Sequence, residues 1–214
     1  MRQLLRLSVV IAAAAASCVV PLADAHAATV KDTVPLRWTL DGAIYSMNQP
    51  NTVVAGSYQS THARPNGTRM VVQTTGLRPF HAYTLWFTFF NHPEHCQHPP
   101  SEDRRCGVLD LFNEMTDGSL VFGDGAVADA WGNATFRGFR PVDEVPVGEE
   151  QIAHGTGVLT NPLGAEYQAT LRSHGIYDPA TYGDEQVTTL DGGCHLGEKY
   201  VCTDDQASGF RAQL

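Results

Sequence analysis

Three histidines recur at intervals of three in His92-Pro93-Glu94-His95-Cys96-Gln97-His98. Imidazole nitrogens ligate Zn and Cu, and a fourth histidine stands at the end of a strand-like run in Leu171-Arg172-Ser173-His174-Gly175, so His92, His95, His98 and His174 form the candidate metal set. Against it stands a plainer reading, a polar loop with its histidines in water. Pro93, Pro99 and Pro100 disfavour the helix on which such spacing would bring the rings to one face. His174 suits an acid, a base or a ligand, with Glu166 or Asp110 as the groups that would orient its ring. Its plainer reading is a half-buried histidine meeting a turn carbonyl, with Arg172 and Glu166 an ordinary surface ion pair. For the single histidines His62, His81, His154 and His195, loops or turns are the default placement.

No residue is assigned a catalytic role. The chain has no G-x-S-x-G elbow, no H-E-x-x-H, no phosphate loop and no dinucleotide fingerprint. Ser173 and His174 are neighbours on an extended segment and therefore point to opposite faces. The acidic pairs Glu149-Glu150, Asp184-Glu185 and Asp204-Asp205 lack the alternating Asp/Asn and Gly pattern of a calcium loop.

Five cysteines become four once the start of the chain is read. Arg2 and Arg6, the apolar run to Val20 and the small-x-small triplet Ala25-His26-Ala27 make residues 1–27 a signal peptide, with the domain beginning at Ala28. A membrane-spanning helix is disfavoured because the run is Ala-rich, short and interrupted by Pro21. A second export reading makes Cys18, in Ala15-Ala16-Ser17-Cys18, a lipid-bearing terminus. Either way the product is secreted or periplasmic, an oxidising setting in which Cys96, Cys106, Cys194 and Cys202 can all pair. Cys96 with Cys106 and Cys194 with Cys202 are the expected bridges, each closing a short polar loop. Thiolate ligation of a metal is the weaker account, since no C-x-x-C is present.

The elements that must carry these residues read as strands. Short alternating runs of β-branched and aromatic residues cover 34–44, 53–59, 68–74, 82–91, 107–112, 119–127, 133–140, 166–173 and 186–190, and no helical periodicity of ten residues follows the leader. In 82–91 the aromatics Tyr83, Trp86, Phe87, Phe89 and Phe90 occupy both faces, so this strand should be central and covered on each side. Pro65-Asn66-Gly67, Asp117-Gly118, Asp124-Gly125 and the hairpin link Trp131-Gly132-Asn133 are the expected turns. Turn spacing implies an all-β fold, an antiparallel β-sandwich or partly closed barrel of Greek-key or jelly-roll kind. Residues 28–214 would form that single domain. Two long irregular loops, 92–105 and 141–157, should lie near one end of it.

The 214 residues carry 14 Lys+Arg against 23 Asp+Glu, a net charge of −9. The leader removes two arginines and one aspartate, so the remainder is at −10 and its acidity belongs to the folded part. Scattered cations exclude the basic stripe that nucleic acid or an anionic membrane surface requires. After leader removal no transmembrane segment is expected, and oligomeric state is not legible.

Thr75-Gly76-Leu77-Arg78-Pro79, Ala82-Tyr83-Thr84-Leu85-Trp86, Gly132-Asn133-Ala134-Thr135-Phe136 and Gly164-Ala165-Glu166 resemble a group of uncharacterised secreted bacterial β-sandwich proteins. Over residues 75–175 the chain is distantly similar to CHRD-type extracellular domains. The resemblance implies a fold more than an activity, because its motifs are turn and core residues. The paired histidines common on a CHRD strand fall at Tyr167 and Gln168 here and are missing. Together these readings favour a secreted, non-catalytic module that binds an extracellular ligand, without cofactor. A Cu- or Zn-dependent secreted oxidoreductase or hydrolase using the clustered histidines is the second expectation, and a structural envelope or matrix protein the third.

Overall fold

Ten residues, His81–Phe90, form strand β4, and nine of them are buried. Alternation sends Tyr83, Leu85, Phe87 and Phe89 to one face and Trp86 and Phe90 to the other, and a separate apolar cluster covers each. The expectation of a central strand covered on both sides is met. The computed structural model describes residues 29–38, 53–99, 105–148, 151–190, 192 and 210–213.

Around β4 stand β1 (Val30–Trp38), β2 (Val53–Arg64), β3 (Gly67–Thr74), β5 (Gly118–Val127), β6 (Ala134–Pro141), β7 (Ile152–His154), β8 (Glu166–Ile176) and β9 (Phe210–Gln213). They pair in the order β6-β3-β2-β1-β9-β8-β4-β5-β7, every ladder between strands antiparallel. β6-β3-β2-β1 is one four-stranded layer and β8-β4-β5-β7 the other, with β9 paired to both β1 and β8. Met70, Val72 and Phe136 of the first layer meet Leu85, Phe87 and Tyr167 of the second in the main core. This is a β-sandwich, not a closed barrel: β6 and β5 meet along their edges without a ladder among the described residues. There Asp124 Oδ2 accepts the Arg137 N–H at 2.6 Å.

The outer face of β4 and β5 is covered by short helical turns rather than by a third sheet. Val108–Phe112 and Glu114–Thr116 are 3-10 turns, and α1 (Pro179–Tyr182) and α2 (Glu185–Thr188) are single-turn helices. α1 begins where Asp178 accepts the N–H groups of Ala180 and Thr181 and Pro179 occupies the first turn. Among the described residues no helix is long and apolar enough to cross a membrane.

Several expectations are corrected. Residues 107–112 are not a strand, because their apolar residues repeat every three: Val108 and Leu111 are buried while Leu109 and Phe112 are 43% and 58% exposed. Residues 186–190 begin in α2, held by the buried amide of Gln186, which donates to the carbonyls of His174 and Ile176 and accepts from the Asp178 N–H. Asp124-Gly125 is no turn but lies within β5, beside a bulge where Leu85 pairs with Asp124 and Trp86 with Phe122. Trp131-Gly132-Asn133 does not close a hairpin, since β5 pairs with β4 and β7 while β6 pairs with β3. The Asp129 carboxylate ties this link by accepting the N–H groups of Trp131 and Asn133, each at 2.8 Å, and the chain crosses there between layers. β7 and β9 carry no alternation long enough to be seen in the sequence. Residues 1–27, Cys18, 39–44, Cys194, His195 and Cys202 lie outside the described residues.

Candidate functional site

Cys96 and Cys106 form the expected disulfide, with the two half-cystines ten positions apart. The loop they close is organised from inside by Asp110, whose side chain is fully buried. Its carboxylate accepts the N–H groups of Gln97 at 2.8 Å, Gly107 at 2.8 Å and His98 at 3.2 Å, and its Oδ1 lies 3.1 Å from His98 Nδ1. Burial alone would raise this carboxyl, but the N–H groups of Gln97 and Gly107 and the contacts of His98 outweigh it and hold it below the ordinary carboxylate range.

The four candidate ligands do not form one group. His92 and His95 lie with ring centroids 6.1 Å apart, and Glu94 Oε1 sits 3.3 Å from His92 Nδ1 and 4.0 Å from His95 Nε2, all three side chains part-exposed. His98 turns to Asp110. His174 belongs to the other end of β4, beside Thr84, which lies about 20 Å along the strand from Phe90. Among the described residues no group of three or more His, Cys, Asp or Glu is arranged to hold a metal ion.

His174 is buried, with Nε2 2.7 Å from Thr84 Oγ1. Trp86 Nε1 donates to the Leu190 carbonyl at 2.6 Å and lies 3.0 Å from Thr84 Oγ1. Gly192, at φ +67°, passes so close that a methyl there would lie 2.2 Å from the imidazole. The ring therefore anchors the chain that follows α2. Neither Glu166 nor Asp110 orients it, because both carboxylates serve the disulfide loop, and Arg172 lies over the Trp86 ring at 4.9 Å rather than on Glu166. His62, His81 and His154 lie in strands β2, β4 and β7, not in loops.

What the structure brings together is the Phe90 end of the sandwich. Asn91, fully buried, is its hub: Nδ2 donates to Asp117 Oδ2 at 2.7 Å and to the Val158 carbonyl at 2.9 Å, and Oδ1 accepts the Thr160 N–H at 2.9 Å. Asn161 Nδ2 donates to the Asn91 carbonyl at 2.9 Å. His154 bonds the Leu111 carbonyl and packs on Phe112, and the Gly157 N–H donates to Ser119 Oγ. The described parts of loops 92–105 and 141–157 thus reach the same end, as expected.

A cavity of about 270 Å³ opens at this end, lined by Val30, Thr61, Ala63, Pro93, Arg105 and the run Pro162, Leu163, Gly164, Ala165, Glu166 and Tyr167. Its walls are fixed in two ways. The Glu166 carboxylate accepts the N–H groups of Arg105 and Cys106, each at 3.1 Å, fastening the disulfide loop to β8. The Tyr167 hydroxyl accepts from Thr68 Oγ1 at 2.7 Å and donates to the Pro162 carbonyl at 2.6 Å, linking β3, β8 and the loop before β8. Burial pushes the Tyr167 phenol up to about 12, so it remains a neutral donor.

Sequence reasoning named Glu166 for another role and missed Asn91, Tyr167, Thr61 and Arg105. A polar Asn directly after an aromatic strand was the one available signal for the hub. The chain matches no protein-family model, no curated protein and no solved structure.

Proposed function

We propose that this protein is an exported, non-catalytic binding module, of the same secreted β-sandwich kind as CHRD-type extracellular domains, whose ligand seats in the cavity at the Phe90 end. One observation carries this reading. The disulfide-closed loop and the loop before β8, joined by the buried side chains of Asn91, Asp110 and Tyr167, meet strands β1, β2 and β8 on one concave surface rather than spreading over the molecule. Rigid loops at the end of a β-scaffold are where binding surfaces are built, and a cavity formed in advance spares the ligand the cost of ordering it. The export part rests on the leader pattern at 1–27 and agrees with the Cys96–Cys106 bridge.

The cavity is tested with 1-hexanol as an apolar probe, followed by amide shifts in labelled protein. Shifts should cluster at Arg105 and at 163–167. They should vanish in Leu163→Trp, where the larger ring fills the mouth from a position 37% exposed and leaves the core intact. Shifts scattered over the surface, or unchanged in Leu163→Trp, would sink the reading. N-terminal sequencing of the exported product checks the leader, with Ala28 as the expected first residue.

A further inference from the structure

The polar groups on the cavity wall are unequal in what they offer a ligand. The Glu166 oxygens face two backbone N–H groups, and the Tyr167 hydroxyl has both an acceptor and a donor partner. The N–H groups of Gly164 and Ala165 donate to the Asn161 carbonyl. Beside these engaged groups stand two donors. Arg105 is exposed at the rim, and among the described residues its guanidinium meets no carboxylate, although the chain carries 23 acidic residues. Thr61, only 3% exposed, accepts from Gln59 Nε2 at 2.9 Å, and its own hydroxyl hydrogen has no acceptor among the described residues. Gln59 Oε1 behind it is buried and unmet. An arginine at the rim and a spare threonine hydroxyl, on a lining that also holds Val30, Ala63, Pro93, Pro162, Leu163 and Ala165, describe the complement of a negatively charged acceptor on an apolar body.

Resting on the cavity reading above, we infer that the ligand is a small apolar monocarboxylate whose carboxylate pairs with Arg105 and whose body fills the Pro and Leu walls. The planar guanidinium donates two parallel N–H bonds to one carboxylate, a match that neither an alcohol nor an amine reproduces. The volume of about 270 Å³ equals that of about nine waters at ~30 Å³ each, room for a short aliphatic or aromatic acid or for the last residue of a peptide. An ammonium head group would face Arg105 with no unengaged carboxylate to receive it.

The test uses the full chain and titrates hexanoate, 3-phenylpropionate, 1-hexanol and hexylamine by calorimetry and amide shifts. The two acids should bind, 1-hexanol at least tenfold more weakly, and hexylamine not at all. Arg105→Gln should weaken hexanoate about 10- to 100-fold and 1-hexanol far less, the range set by one charge-assisted pair. Arg105→Lys should fall between, keeping the charge and losing the fork. Hexanoate and 1-hexanol of equal affinity, or Arg105→Gln without effect on hexanoate, would overturn the carboxylate inference and leave the cavity reading standing. If none of the four probes shifts the cavity amides, both fail. A peptide ending in leucine, compared with its C-terminal amide, separates the two sources. Binding of the free-ended peptide alone points to a chain end, and binding of the short acids without the peptide points to a free acid.

Discussion

Asp110 does more for the disulfide loop than its spacing to the histidines suggests. A buried carboxylate that accepts three backbone N–H groups and faces an imidazole replaces the water those groups would otherwise bind. Asp110→Asn swaps one acceptor oxygen for an NH₂ that confronts N–H donors. It should cost about 1.5–3 kcal/mol at pH 7, the range for hydrogen bonds to a charged group. The pH dependence has a definite sign. A carboxyl held below its unfolded value of ~3.9 stabilises above that pH, and the contribution fades as pH falls through the lower folded value. The gap between the wild type and Asp110→Asn in urea unfolding should therefore be widest near neutrality and narrow below about pH 4. An equal gap at pH 7 and pH 3 would refute this role. Residue-scale roles of this kind are poorly legible in sequence: the pattern suggests Asp110 as an orienter of His174, yet the ring it meets is His98. Thr84, which does meet His174, is an unremarkable Thr in a β-run.

At the scale of elements, alternation was legible wherever one strand face is buried against the other layer. β3, β4, β6 and β8 fall close to their expected bounds because a period of two is written into the order of residues. It misled at 107–112, where a short apolar run fits a strand or a 3-10 turn equally well. Gly125 shows how closely a helix and a strand can depend on one another. Val187 of α2 comes down on β5 there, and a methyl at position 125 would lie 1.9 Å from the Val187 carbonyl oxygen. Gly125→Ala should displace α2, together with the chain that runs over His174, and cost about 1–3 kcal/mol as an overpacked contact. Chemical denaturation followed by tryptophan fluorescence, in a background with Trp38 and Trp131 replaced by Phe, reads both effects, because the Trp86 N–H bonds Leu190 just beyond α2. An unaltered midpoint and spectrum would show that α2 is not seated on β5 in solution.

For the whole molecule, the two ends of the sandwich differ in kind. The Phe90 end is braced by the disulfide and carries the cavity, and the His81 end carries the exposed Phe80 (60%), Trp131 (81%) and Ile176 (69%), although Phe112 and Val147 are exposed at the Phe90 end as well. The Cys96–Cys106 bridge holds Pro93 and Arg105 on the same cavity, so its loss should be felt beyond the loop. Closing about ten residues is worth about 2.7 kcal/mol in the chain-entropy model. For a chain of this size that corresponds to a Tm lower by roughly 5–11 °C in the double variant Cys96→Ala with Cys106→Ala. Calorimetry checks the shift, and the 1-hexanol response at 163–167 should weaken with it. A Tm within a degree of wild type would mean that the Asp110 and Glu166 hydrogen bonds alone hold the loop.

The order of residues by itself determined the all-β class, the central covered strand, the hairpin at Pro65-Asn66-Gly67 and the first disulfide. Each depends on a period of two, a turn preference or a spacing of ten, all local properties of the chain. Only the tertiary structure decided which side chains tie the loops of that end together and which histidines do not meet. It also decided that the cavity wall has donors to spare. Those outcomes rest on contacts between residues far apart in sequence: Asn91 with Asn161, 70 positions apart, and Thr68 with Tyr167, 99 apart. Partners at such separations are chosen by how two layers pack, and the composition of either segment carries no record of the other.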